Sequence, residues 1–356
     1  MAWATPEFER SDVDAAGRQL AQMQFPVSDA GGREALEIIN NWRSSHSYPL
    51  NTFQMTLRRK ARQIEHDAIV AQRIKRLESI HAKLARQPSM RMTQMQDIAG
   101  CRAVFKDMSS IETLVSMYRE SKAGHRLKSE KNYILSPKPD GYRCHHLVYV
   151  YKGTDSTKDY TGLQVEIQIR TQAQHAWATA VEAVGIFTKQ ALKSNQGNQD
   201  WLRFFALMGS AISAIEQCHP VPGTPTSKST LVKEIKELSE RLRVQSALKV
   251  YNTSINYLGA AKDAKYFVLS LDSITQKVTI WRYKALQSET ANLKYTELES
   301  ALEESSSTQI VLVSVDNINA LRRAYPNYFL DTELFSTLVN RVLKGDFPSP
   351  LSHSVI

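Results

Sequence analysis

Cysteine is scarce in this chain. Cys101, Cys144 and Cys218 are the only three among 356 residues, and they lie far apart in no motif spacing. That pattern excludes a disulfide framework and a zinc site, and it fits a reducing, cytoplasmic compartment. No run approaches the roughly 18 consecutive apolar residues of a membrane helix, so no membrane partner is expected. The N-terminus, MAWATPEFERSDVD, is acidic and has no apolar core of the kind a secretory signal needs. Neither GxxxxGK[ST] nor a kinase signature occurs, which excludes the common ATP-binding folds. Residues 231–356 contain no cysteine and a single histidine, His353, so a true zinc finger is impossible there. No internal repeat is present, and low complexity is limited to Ser305–Ser307.

What is abundant is positive charge, unevenly placed. Residues 231–356 hold 15 Lys and Arg against 14 Asp and Glu, a net of +1, which leaves +8 of the total +9 on residues 1–230. An anionic partner, nucleotide or nucleic acid, would meet the N-terminal part. The run from Leu57 to Arg86 carries nine Lys and Arg and three acids, with Ile69, Ile74, Leu77, Ile80 and Leu84 near helical spacing, and reads as a basic helix. After Pro88 the pattern changes. Asp97 to Phe105 reads as a turn into a strand, 109–121 as a helix, 147–152 as a strand, and Gly162 to Thr171 as a strictly alternating strand. Residues 126–135 lead into a Pro- and Gly-broken loop, and a long helical region runs from about Gln172 to Cys218. The segment 218–230, CHPVPGTPTSKST, has the composition of a linker. An amphipathic helix is expected at 231–258, with strands at 265–272, 277–283 and 308–316. The pattern is α+β, with domains at 1–217 and 231–356.

The chemistry concentrates around two acids. Asp97 stands where the chain turns into a strand. Glu166 lies within the apolar alternation of Val165, Ile167 and Ile169, on the opposite face with Gln164, Gln168 and Arg170. Two readings fit this spacing: a solvent-facing polar strip, or a pair of carboxylates holding Mg²⁺ beside substrate phosphates. Arg73, Lys75, Arg76, Arg102, Lys138, Arg143 and Arg170 supply the cationic cradle that phosphate chemistry needs. The loop 135–146 adds Tyr142, His145 and His146 just before a strand.

Three stretches, DIAGCR (97–102), YILSPKPDGYRCHH (133–146) and VEIQIRTQAQHAWATAVE (165–182), resemble the synthetase domain of the RelA/SpoT family, and QRIKRLESI (72–80) is similar to its upstream ATP-binding helix. The resemblance covers about residues 50–215. It implies a mixed-sheet, nucleotidyltransferase-like domain flanked by helices, moving pyrophosphate from ATP to a nucleotide 3′-hydroxyl. Asp97 and Glu166 would hold Mg²⁺, and Glu166 would act as general base. Arg73 and Arg102 would sandwich the adenine, while Lys75, Ser79 and Lys138 contact ATP phosphates. Tyr142 would stack on the acceptor base, Arg143 and His146 would meet its sugar and phosphates, and Gln168 and Arg170 would floor the site. Cys144-His145 departs from the family's usual residues there, at flanking positions. His66-Asp67 has no metal-ligand partner at helical spacing and reads as a surface pair, so the hydrolase half of the long relatives is not expected.

Beyond 230 the segment Ala324-Tyr325-Pro326-Asn327-Tyr328-Phe329 offers two tyrosines three apart. A synthetase followed by a small α/β unit with this motif is similar to the CapRel-type fused toxin–antitoxins. That likeness implies pyrophosphate transfer to the 3′-CCA end of tRNA, which stops translation. It implies a C-terminal pseudo-zinc-finger antitoxin in which Tyr325 and Tyr328 occlude the ATP site, and release by a phage structural protein, typically the major capsid protein. The alternative is a small alarmone synthetase making (p)ppGpp or (p)ppApp.

Overall fold

The computed structural model describes residues 3–23, 30–121, 124–188, 192, 197–249, 254–259, 263–272, 274–275, 277–302, 308–315, 318–325 and 332–350. Helices α1 (Arg10–Gln22), α2 (Ala30–Ser45) and α3 (Ser47–Ile64) lead into β1 (Ile69–Ile74), α4 (Leu77–Arg86), β2 (Ala99–Phe105), α5 (Met108–Arg119), β3 (Arg126–Asn132), β4 (His145–Val150) and β5 (Gln164–Thr171). Then come α6 (Gln172–Thr188), α7 (Gln199–Ile215), α8 (Lys228–Arg241) and α9 (Val244–Lys249). The chain continues through β6 (Ser254–Gly259), β7 (Ala264–Asp272), β8 (Lys277–Lys284), α10 (Ser288–Ser300), β9 (Thr308–Ser314), α11 (Ile318–Ala324) and α12 (Glu333–Leu343).

The α+β class and the mixed sheet are as expected. Nine strands form one sheet in the order β3-β4-β5-β2-β1-β9-β7-β8-β6. The β2–β5 and β6–β8 pairs are parallel and the others antiparallel. The short seam between β1 and β9, registered at Gln72–Ser314 and Arg73–Val313, joins the strands of the C-terminal third to those of the N-terminal part. The division expected at 218–230 therefore does not divide the sheet. Nor is that stretch an open tether. Val221 and Thr224 are buried, and both bond the Ser210 hydroxyl on α7. A helical core mixes Phe204 and Leu207 of α7 with Leu231 and Ile235 of α8 and Phe335 and Val339 of α12.

Three local readings are corrected. The expected helix across 57–86 is a helix, a strand and a helix. α3 stops at Ile64, with Glu65 in extended conformation, and residues 69–74 are drawn into the sheet between β2 and β9. β-branched Ile69, Val70 and Ile74 suit a strand with partners on both sides, and that pairing overrides the approximate helical spacing. The expected helix 231–258 breaks at Arg243, whose φ is 50°, and its end becomes β6 beside β8. Residues 126–132, expected only as a lead-in, form edge strand β3. Its outer side meets solvent, so it carries charges in place of apolar alternation.

One face of the N-terminal half of the sheet is apolar. Val70, Cys101, Ala103, Leu147, Tyr149, Val165, Ile167 and Ile169 pack under the leading helices in one core. The opposite face carries the polar residues Glu166, Gln168 and Arg170. Across β9 and β7 that same face becomes apolar, where Val311, Val313, Phe267 and Leu269 join Leu321, Ala324 and Tyr325. No described helix is long and apolar enough to cross a membrane.

Candidate active site

Register places the site residues in two rows on the polar face. Arg73 lies opposite Gly100, Gly100 opposite Glu166, and Glu166 opposite Val148. In the next row Ala71, Arg102, Gln168 and His146 stand side by side. Directly opposed residues on neighbouring strands share a face, so residues from four strands converge without any local sequence continuity. Alternation along β5 puts Glu166, Gln168 and Arg170 together and turns Val165, Ile167 and Ile169 into the core, as the sequence pattern requires.

A hydrogen-bonded chain crosses this face. Tyr142 Oη lies 2.8 Å from His146 Nε2, and His146 Nδ1 lies 2.8 Å from Glu166 Oε1. Gln168 donates from Nε2 to Glu166 Oε2 at 2.8 Å, and Arg170 donates to Gln168 Oε1 at 2.6 Å. Burial works to raise the pKa of Glu166, but the hydrogen bond and charge of His146 hold it below the usual value, against the repulsion of Asp97. Burial likewise works to lower His146. The Cys144 sulfur and the Glu166 carboxylate outweigh it and raise His146 to about 10. Glu166 is thus an ionised acceptor, and His146 a cation between it and the Tyr142 hydroxyl.

The second acid stands just before β2. Asp97 accepts from Lys75 Nζ at 2.7 Å and from Lys83 Nζ at 2.8 Å. Burial opposes its ionisation, yet these two ammonium groups hold it far below the usual aspartate value. Lys75 is itself lowered by burial, against the pull of Asp97. Two ionised carboxylates within electrostatic reach of each other present hard oxygen donors, the set Mg²⁺ takes. Among the described residues no group of three or more His, Cys, Asp and Glu is placed to hold a metal ion. The donor set fits Mg²⁺, with Lys75 and Lys83 now holding the oxygens of Asp97.

The loop 135–146 is fixed by close backbone packing. Gly141 has φ of +94°, and a Cβ there would stand 2.8 Å from the Phe205 carbonyl of α7. A Cβ on Gly209 of the same helix would stand 2.9 Å from Gly141 Cα, so two glycines let loop and helix touch. The loop thereby presents Tyr142 toward His146, with the exposed Lys138 ammonium 4.6 Å from the Tyr133 ring centroid and 5.2 Å from that of Tyr142.

Not every expected residue arrives. Arg143 turns away from the site. It is 3% exposed and pairs with Glu216 at the end of α7, at 2.7 Å. Thr171 and Gln174 bond the same carboxylate, so Arg143 anchors the loop to the helices. His145 faces the other side of β4 and meets Glu130 at 2.9 Å. Ser79 is half-buried in the first turn of α4, one turn before Lys83 and on the same side. Tyr325 follows α11 on the site face. Its hydroxyl donates to the Gln72 carbonyl at 2.8 Å, and the Arg102 guanidinium lies 5.8 Å from its ring centroid. Arg102 also donates to the Ala324 carbonyl at 3.3 Å. Tyr328 lies outside the described residues. Lys83 was missed by the sequence reading, although it stood in the basic run as the residue one turn beyond Ser79.

The proton that Cys144 and Glu166 hold on His146 has a consequence for stability. His146 holds its proton to about pH 10 when folded against an ordinary 6.5. Its contribution is complete below about pH 6.5 and is lost as pH rises toward 10. The urea midpoint is expected to fall across that window, with a shallower fall in His146→Asn. Identical slopes for the two chains would contradict the pairing.

Residues 72–191 match the family described as "Region found in RelA / SpoT proteins". The chain is 35% identical over 121 residues to GTP pyrophosphokinase YwaC of Bacillus subtilis (strain 168), 33% of this chain and 55% of that protein. It is 35% identical over 112 residues to GTP pyrophosphokinase YjbM of the same organism, 31% and 52% of the two chains. The chain thus spans about half the length of the curated relatives it matches. The crystal structure of small alarmone synthetase 1 from Bacillus subtilis bound to its product pppGpp is similar at 27% identity and a TM-score of 0.41, covering 49% of this chain and 93% of that one.

Proposed function

We propose that this chain is a RelA/SpoT-type pyrophosphokinase that transfers the β,γ-pyrophosphate of ATP to a 3′-hydroxyl. The observation that carries the reading is the Tyr142–His146–Glu166–Gln168 chain facing Asp97 and its lysines. An ionised carboxylate shaped by hydrogen bonds supports a general-base role toward the acceptor hydroxyl. Mg²⁺, when bound, would be held by Asp97 and Glu166 and would neutralise phosphate charge. Glu166 takes the acceptor proton, the acceptor oxygen attacks the β-phosphorus, and the α,β bridging bond breaks to release AMP. Arg73 and Arg102 hold the adenine, Lys75, Ser79 and Lys138 the phosphates. Tyr142 stacks the acceptor base beside His146, with Gln168 and Arg170 beneath.

For the acceptor, we assign the 3′-CCA end of tRNA, whose phosphates would meet the +8 carried by residues 1–230. A toxin of this kind needs restraint, and Tyr325 supplies it from the C-terminal third, as an antitoxin unit of pseudo-zinc-finger type. Its ring occupies one side of Arg102, the place assigned to adenine. A phage structural protein, typically the major capsid protein, would draw the C-terminal segment away. The second reading, a small alarmone synthetase making (p)ppGpp or (p)ppApp, is favoured by the names of the curated relatives.

The test uses the whole chain, because α8 and α12 share a core with α7 and a truncation would expose it. Full-length Tyr325→Ala, Tyr328→Ala is expected to arrest growth on induction, where the parent does not. The purified double variant should move label from γ-labelled ATP to tRNA. Label on GDP, GTP or ATP alone would move the assignment to the second reading. Unimpaired growth with no transfer to any acceptor would sink both.

A further inference from the structure

Beneath α11 lies a group of buried polar atoms without hydrogen-bond partners among the described residues. His175 stands in the first turn of α6, 6% exposed, and neither Nδ1 nor Nε2 has a hydrogen-bond partner among the described residues. Arg102 Nε and Arg170 Nε are buried and unpartnered in the same way. Both guanidiniums lie within electrostatic reach of the His175 ring, as does Glu182 at longer influence. The Arg323 backbone of α11 lies against the ring without reaching hydrogen-bond geometry. Buried polar groups are nearly always paired in native proteins, so an imidazole orphaned at both nitrogens points to an absent partner.

Protonation does not resolve the deficit. Burial, and then the charges of Arg102 and Arg170, push the imidazole well below its ordinary pKa and keep it neutral. A neutral imidazole offers one donor and one acceptor. Phosphate, which only accepts, would face a lone pair at one nitrogen. An exocyclic amino group on a nucleobase, by contrast, can donate to that lone pair. Position agrees with chemistry. Tyr325 already lays a planar ring over Arg102, but its hydroxyl goes to the Gln72 carbonyl and gives His175 nothing. Tyr325 reproduces the stacking and omits the polar edge.

Resting on the ATP reading above, we infer that His175 is a specificity-determining residue that contacts the 6-amino edge of the adenine stacked on Arg102, once α11 and Tyr325 withdraw. Among the described residues the closed arrangement gives the His175 ring no hydrogen-bond partner, and ATP gains by supplying one.

The experiment pairs a protein edit with a ligand edit in full-length Tyr325→Ala, Tyr328→Ala. Calorimetry compares ATP with purine riboside 5′-triphosphate, which lacks the 6-amino group. ATP is expected to bind about tenfold more tightly, a difference of about 1.4 kcal/mol. In His175→Ala, and in His175→Asn should the alanine variant not fold, that ratio should collapse toward one. A structural role would weaken both nucleotides alike and keep the ratio, and that result overturns the inference. If the parent double variant is folded and binds neither nucleotide, the ATP reading itself falls.

Discussion

Replacing Glu166 with Gln is expected to lower pyrophosphate transfer by about three orders of magnitude, within the range for losing a general base, while nucleotide binding changes far less. The substitution keeps the size of the side chain and removes its charge. In the parent both carboxylate oxygens accept, one from His146 and one from Gln168. An amide must turn its NH₂ toward one of those donors, so one hydrogen bond becomes a clash of donors. His146 loses the anion that helps to hold its proton, and its pKa falls back toward the ordinary range. On the proposed roles, the hydroxyl would then meet no base, and Asp97 alone would be left to hold Mg²⁺. Single-turnover rates with labelled ATP in the Tyr325→Ala, Tyr328→Ala chain measure this directly. A Gln variant within tenfold of its parent would remove Glu166 from the chemistry. Growth provides the coarse form of the same test, since the arrest caused by the double variant should disappear.

The second large effect concerns the opposite face of the sheet. Glu299→Ala is expected to cost about 3–5 kcal/mol of stability, the range for stripping one partner from a buried ion pair. Arg43 and Glu299 are 3% and 6% exposed and meet at 2.9 Å. Tyr295 donates to Glu299 Oε1 at 2.7 Å and accepts from Arg43 Nη2 at 2.7 Å. The Leu77 N–H, at the start of α4, donates to the same Oε1 at 2.8 Å, and Arg43 Nε donates to the Lys75 carbonyl at 3.1 Å. One carboxylate from α10 thus ties α2 to the first turn of the helix that carries Ser79 and Lys83. Removing it leaves a buried guanidinium and an orphaned helix N–H. Chemical denaturation reads the loss, and a shift below about 1 kcal/mol would argue that the network holds nothing. The companion Arg43→Met with Glu299→Leu removes both charges and should recover the part of the loss due to the unpaired guanidinium, while the Leu77 N–H stays orphaned.

The two networks differ in how far the sequence announced them. The alternation of Val165, Ile167 and Ile169 with Glu166, Gln168 and Arg170 is local, because side chains of a strand point to opposite faces by geometry alone. The loop glycine and Tyr142 were equally visible. Arg143 stood among the expected site residues because its type suits phosphate, but a cation can serve a core as well as a ligand. Only the approach of Glu216, 73 residues later, decides between them. His175 carried no signal, since an imidazole near the start of a helix looks the same whether or not its nitrogens are paired. The stretch 69–74 has an approximate periodicity that satisfies helix and strand alike. Its fate was settled by β2 and β9, the latter more than 230 residues away.

By itself, then, the sequence determined which residues could carry chemistry: two acids, a set of cations and an aromatic loop in a fixed order, with their faces set by strand alternation. The tertiary structure decided who partners whom. It put Tyr325 over Arg102, Glu299 on Arg43 and α11 above His175. Those pairs span from about 150 to more than 250 residues, and they depend on the order of strands across the sheet, which no local pattern encodes.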